Sequence, residues 1–137
     1  MNLDKVLSVS GKPGLYELIS RSKGGFIVKS LDTGKKTAVS MRQNVNVLGE
    51  IAIYTYDEEV PLVNVLRNIA EKESHQKAIH PKSASKELKA YFQEILPDYD
   101  EDRVYVSDIK KILQWYNTLI DLGVTEFEAE KAEEKNK

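Results

Sequence analysis

Short apolar runs separated by turn residues fill the first part of the chain: KVLSVSG (5–11), GLYELIS (14–20), GFIVKSL (25–31), KTAVSM (36–41) and IAIYTY (51–56). Phe26 and Val28 alternate with Ile27 and Lys29, and Leu15, Glu17 and Ile19 alternate with Tyr16 and Leu18. A period of two is the strand signal, because successive side chains leave opposite faces of the backbone. Apolar residues on both faces point to a small, strongly curved sheet buried in part on each side. The segments SRSKGG (20–25) and LDTGKK (31–36) supply turns, the second with Asp32 to start it and Gly34 free to take positive φ. Five short strands punctuated this regularly predict an SH3-like or Tudor-like β-barrel, with an open antiparallel sheet as the rival arrangement.

The period changes near residue 57. Leu62, Val65, Leu66, Ile69 and Ala70 form one helical stripe behind Pro61, and Leu88, Tyr91, Phe92 and Ile95 form a second. Ser83 or Ser85 is placed to cap the second helix, which Pro97 ends. Ser107 is placed to cap a third, whose stripe reads Ile109, Ile112, Leu113, Tyr116 and Ile120, with Gly123 as its C-terminal cap. Helices are therefore expected over 60–73, 86–96 and 108–121, joined by a polar linker at 75–85. The tail from Thr125 offers a capping box with Glu128 and only Phe127 to bury. The fold class is α+β: a β module over 1–56, a helical module over 57–124 and a charged, partly helical or disordered tail over 125–137.

Charge divides along the same line. Residues 1–50 carry eight lysines and arginines against four acids, a net of +4, whereas 51–137 carry a net of −6. The two parts present different fields to a partner. The chain has no cysteine, which removes disulfides and thiolate chemistry and suits a reducing cytoplasm. No apolar run is long enough for a membrane span, and the N-terminus carries no secretory signature.

Three stretches invite a chemical reading. Gly11-Lys12-Pro13-Gly14 looks like a phosphate loop, but proline removes an amide donor, no Ser or Thr follows the lysine, and a strand follows instead of a helix. It reads as a turn, with Gly14 at the position that needs positive φ. Asp98, Asp100 and Asp102 alternate as in a calcium loop, yet Arg103 stands where glycine belongs and Ile109 where the bidentate glutamate belongs. That segment reads as an acidic loop anchored to the core by Tyr105 and Val106, with no metal. His75 and His80 are five apart, the wrong spacing for one helical face, and read as loop residues. No G-x-S-x-G elbow, H-E-x-x-H helix or dinucleotide fingerprint is present, so neither catalytic residue nor cofactor is expected, and the protein reads as a non-enzyme.

The segments LSVSGKPGLYELIS, IAIYT, EEVPL and above all KELKAYFQEILPDYDEDRVYVSDIKKILQWYN resemble a family of small uncharacterised proteins from Bacteroidetes-type bacteria, classed as a domain of unknown function. The resemblance runs from about residue 1 to 120 and leaves the tail outside. It implies a bacterial cytoplasmic protein with an N-terminal β module and a C-terminal helical module, and it transfers no activity, ligand or residue role.

Two binding readings follow from the residues. The helical module is rich in aromatics, and Trp115 beside Tyr116 cannot share its direction, so Trp115, Tyr99 and Tyr105 are candidates for a protein-interaction surface. A scaffold or regulatory protein acting through protein–protein contacts is the leading expectation. The alternative is nucleic-acid or anion binding along a basic edge of the β module, made by Lys12, Lys23, Lys35, Lys36 and Arg42, with Tyr16 or Phe26 for stacking. Self-association is left undetermined by the pattern.

Overall fold

The structure is a computed structural model that describes residues 3–11, 14–40, 42–124 and 127, with the side chain of Asp4 left aside. Two compact units divide the chain, Met1–Ile51 and Ala52–Lys137.

In the first unit, a 3₁₀ turn (Leu3–Lys5) leads into β1 (Val6–Val9), β2 (Tyr16–Ser22), β3 (Gly25–Ser30), β4 (Lys36–Ser40) and β5 (Val45–Val47), which runs into a second 3₁₀ turn (Leu48–Glu50). The strands form one antiparallel sheet in the order β4-β3-β2-β1-β5. Register places Leu7 opposite Val47, Leu18 opposite Val28 and Phe26 opposite Val39, so these side chains share a face. Leu7, Val9, Val28 and Val39 are its buried centre, with Tyr16, Leu18, Phe26, Val45 and Val47 packed around them. The alternation predicted for β3 is therefore the observed one, with Phe26 and Val28 on the core side.

The expected SH3-like or Tudor-like barrel does not form. Closure requires the two edge strands to pair, and among the described residues no ladder joins β4 to β5. β5 has only three residues, spends one edge on β1, and then leaves the sheet in the 3₁₀ turn. The run 51–56, counted as the fifth strand, belongs elsewhere. Its residues form β6 (Ala52–Tyr54), which pairs with β7 (Glu59–Pro61) in a separate two-stranded sheet. The open antiparallel sheet followed by helices is the architecture present, and the division between compact units falls at Ile51/Ala52 instead of 56/57.

In the second unit, α1 (Leu62–Lys72), α2 (Ser85–Ile95) and α3 (Val106–Asp121) all touch one another. The stripes predicted for α1 and α2 are buried residue for residue. In α3 the last buried position is Leu119, with Ile120 half-exposed. Neither predicted serine cap is used: Ala84 precedes α2, and Tyr105 precedes α3, its backbone N–H donating to Asp108 Oδ2 at 2.9 Å. Gly123 closes α3 as expected, with φ of +88°. The Gly123 and Val124 amides donate to the Ile120 and Leu119 carbonyls, both at 2.9 Å, which satisfies two orphan acceptors of the last turn.

The first half of the linker between α1 and α2 is fastened to α2 and α3. Tyr116 Oη donates to the Gln76 carbonyl at 2.6 Å, Asn117 Oδ1 accepts from the Ala78 amide at 2.8 Å, and Lys77 pairs with Asp121 at 2.9 Å. Tyr91 donates to the Glu73 carboxylate. Phe127 is buried, its ring centroid 5.9 Å from that of Tyr116; the proposed Thr125–Glu128 cap lies outside the described residues.

Candidate functional site

The site is built where β6 meets the loop between α2 and α3. The Asp100 amide donates to the Tyr54 carbonyl at 2.9 Å, and the Tyr56 amide donates to the Asp98 carbonyl at 3.0 Å. Thr55 and Tyr99 face each other across this bridge. Tyr99 is held from behind by an edge-on contact with Phe92, with ring centroids 5.0 Å apart. The loop thus lies beside β6 as a third strand-like rung.

Asp100 organises the loop. Its Oδ1 accepts the Asp102 amide at 2.9 Å, its Oδ2 accepts Arg103 Nε at 2.8 Å, and its carbonyl accepts the amides of Arg103 and Val104. The Arg103 side chain, and to a smaller extent the Asp102 amide, hold the Asp100 carboxyl below the usual carboxylate range against the opposing effect of burial. Arg103 is held protonated by the same contact. Both side-chain oxygens of Asp100 are therefore committed within the protein. Among the described residues no group of three or more histidines, cysteines or acids is disposed to hold a metal ion. The anchors predicted for this loop are corrected: Val104 and Tyr99 are the buried residues, whereas Tyr105 is exposed and Val106 half-exposed.

Fixing the loop this way leaves a surface of unusual make-up. The Arg103 guanidinium lies over the Tyr54 ring, 4.3 Å from its centroid. An open groove of about 440 Å³ begins there, lined by Tyr54, Thr55, Tyr56, Arg103 and the acidic turn Asp57-Glu58-Glu59. Thr55 pins that turn: its Oγ1 accepts the Glu58 amide at 2.9 Å and donates to the Glu58 carbonyl. Tyr56 is 61 % exposed, Tyr54 39 %, and Tyr105, two residues beyond Arg103, 63 %.

Of the protein-interaction candidates, Tyr105 is exposed but does not line the groove, Trp115 is half-exposed on α3, and Tyr99 is only 3 % exposed and belongs to the core. Tyr54, Tyr56 and Arg103 were not predicted for the groove. The alternation in IAIYTY was their signal, since it places Tyr54 and Tyr56 together on the face opposite Ile53 and Thr55, which are buried.

The candidate basic edge is not one edge. Lys23 lies in the β2–β3 turn and Arg42 in the β4–β5 connection, at one end of the sheet; Lys35 and Lys36 lie at the other end, where Lys36 is directly opposite Lys29. Roughly 15 Å of strand separates the two groups. Lys12 lies outside the described residues. The candidate stacking rings are also engaged, because Tyr16 and Phe26 pack on the sheet's core and Arg21 sits 5.7 Å over the Phe26 ring. In the neighbouring turn Gly14 has φ of +82°, the value expected for its predicted place.

Comparison with known proteins follows the same division of the chain. Residues 3–48 match the family model described as Domain of unknown function (DUF5606), and residues 51–119 match Domain of unknown function (DUF6852). A solution NMR structure from Bacteroides vulgatus, a structural-genomics target, is 46 % identical over 92 % of this chain and 91 % of that one, with a TM-score of 0.79. The chain belongs to this family of small uncharacterised Bacteroidetes-type proteins. No curated protein matches it. The DUF6852 match spans every residue of the groove, so the candidate surface lies wholly within one family domain. Among the described residues no helix is long and apolar enough to cross a membrane.

Proposed function

We propose that the protein acts by binding another protein through the aromatic surface of its second unit, with no catalytic step of its own. The observation that carries this reading is the exposure of Tyr54 and Tyr56 beside a turn that Thr55 pins, with Tyr105 exposed two residues beyond Arg103. Tyrosine and arginine are enriched among the residues that carry interface energy, tyrosine because it buries a large ring with only two rotors to immobilise and arginine because its planar guanidinium stacks and donates several hydrogen bonds. The helices fill their interior with other residues, Tyr91, Phe92, Tyr99 and Tyr116 among them. The buried hydroxyls of Tyr91 and Tyr116 are committed to Glu73 and Gln76, which favours a structural role for them. A nucleic-acid partner draws less support, since the basic residues stand at two ends of the sheet. We place the protein in the cytoplasm, where a chain without cysteine is at home.

The test is photo-crosslinking in cells, with benzoylphenylalanine at position 56 or at position 87, an exposed site on α2. A discrete protein adduct at 56, indifferent to nuclease and missing at 87, is the expected result. Equal labelling at both positions, or adducts to nucleic acid, would contradict the reading.

A further inference from the structure

We infer that the groove beside Tyr54 and Tyr56 receives a lysine or arginine side chain from an extended segment of the partner, an inference that rests on the protein-binding reading above. The charge of the lining comes first. Asp57, Glu58 and Glu59 set three carboxylates against the one guanidinium of Arg103, a net of −2. Asp100, on the same loop as Arg103, is already spent on it. Asp57 and Glu58 have no ion pair among the described residues.

The second line of argument is the protein's own use of this chemistry. Arg103 lies 4.3 Å over the Tyr54 ring while its Nε donates to a carboxylate at 2.8 Å. A cation on an aromatic face with a carboxylate at its edge is thus already built once, from within the chain. One step along the same face, Tyr56 offers a second ring, with Asp57 and Glu58 beside it in sequence, and among the described residues no cation is seated on it as Arg103 is on Tyr54. A cation over a tyrosine face gains from the ring quadrupole, and gains more when a carboxylate shares it.

The lining also discriminates. Among the described residues no aliphatic side chain contributes to the groove, so a purely aliphatic anchor finds little of its own kind to pack on. An acidic segment meets like charge. The turn is held by Thr55 before any partner arrives, which lowers the ordering cost of binding. The groove is open, as suits a segment lying across it and placing a single long side chain inside.

The experiment pans a random twelve-residue peptide display library on the immobilised full chain, then measures recovered peptides by fluorescence anisotropy. They are tested on the wild type, on Tyr56→Ala, on Tyr56→Phe and on an Asp57→Asn/Glu58→Gln double variant, with unchanged melting curves as the folding control. The expected peptides carry lysine or arginine. Their affinity falls at least tenfold with Tyr56→Ala and with the double variant, survives Tyr56→Phe, and falls again when the peptide lysines are acetylated. Peptides that need Tyr56 but lack a cation, or ignore the double variant, would overturn the cationic partner and leave the protein-binding surface standing. Failure to recover any peptide that depends on Tyr56 would overturn both.

Discussion

Asp100 accepts from Arg103 and Asp102 while ionised, so its carboxyl titrates lower in the fold than its ordinary value of 3.8. A depressed carboxyl contributes stability that is complete above the unfolded value and disappears as pH falls through the folded one. The gap in melting temperature between wild type and Asp100→Asn should therefore be constant near neutrality and close below about pH 4. A gap that persists in stronger acid would show that the carboxylate charge is not what holds the loop. Tyr116 behaves in the opposite sense. Burial, aided by Glu73, pushes its hydroxyl up to about 12, and Tyr91 is raised by burial and its bond to Glu73. Their stabilisation is full below about pH 10 and is lost as pH rises through the folded values. A Tyr91→Phe/Tyr116→Phe variant, weaker at pH 7 by about 1 kcal/mol for each lost hydrogen bond, should lose less stability than wild type between neutral and alkaline unfolding. Little of this was legible in advance. The sequence showed three alternating aspartates, and it showed Arg103 as an obstacle to calcium. Which oxygen Arg103 would satisfy depends on a turn that spacing alone does not draw.

The helices were the readable elements, because a period of 3.6 is local and each stripe needs only its own residues to show. Two of the three stripes matched in full, and the third drifted by one position at its final turn, from Ile120 to Leu119. Gly123 was equally readable. A Cβ built there meets no atom within 4 Å, so Gly123→Ala should lose only the left-handed backbone preference, about 1 kcal/mol in a denaturant titration. The reverse test lies at the end of α1, where Ser74 and His75 hold φ of +54° and +63°. Ser74→Gly should raise stability by about 0.5 kcal/mol, the relief of strain exceeding the added chain entropy. A loss on that substitution would mean that the serine side chain contributes more than its backbone costs. Strands were harder. β5 is a three-residue segment, Val-Asn-Val, too short to announce itself, and the longer run at 51–56 was assigned to the wrong sheet. Pairing is decided by partners distant in sequence, so five runs of the right period do not say whether an edge will close.

The whole chain is an open antiparallel sheet and a helical unit with its own small hairpin, and it belongs to a family matched along both. The change of period near 57 located the transition to within a few residues, but the boundary follows pairing, and β6 goes with the partner that hydrogen-bonds to it. This matters for function, since moving Tyr54 and Tyr56 into the second unit sets them beside Arg103 and makes one surface from two stretches about fifty residues apart. The exposed-tyrosine surface is the central claim, and the most direct test is calorimetric. Once the protein crosslinked at position 56 is in hand, its affinity is measured against the wild type, Tyr56→Ala and Tyr105→Ala. A loss of at least tenfold, or about 1.4 kcal/mol, for Tyr56→Ala with an unchanged melting temperature is the expected result, with a smaller loss for Tyr105→Ala. Affinity unchanged in both variants would contradict the account.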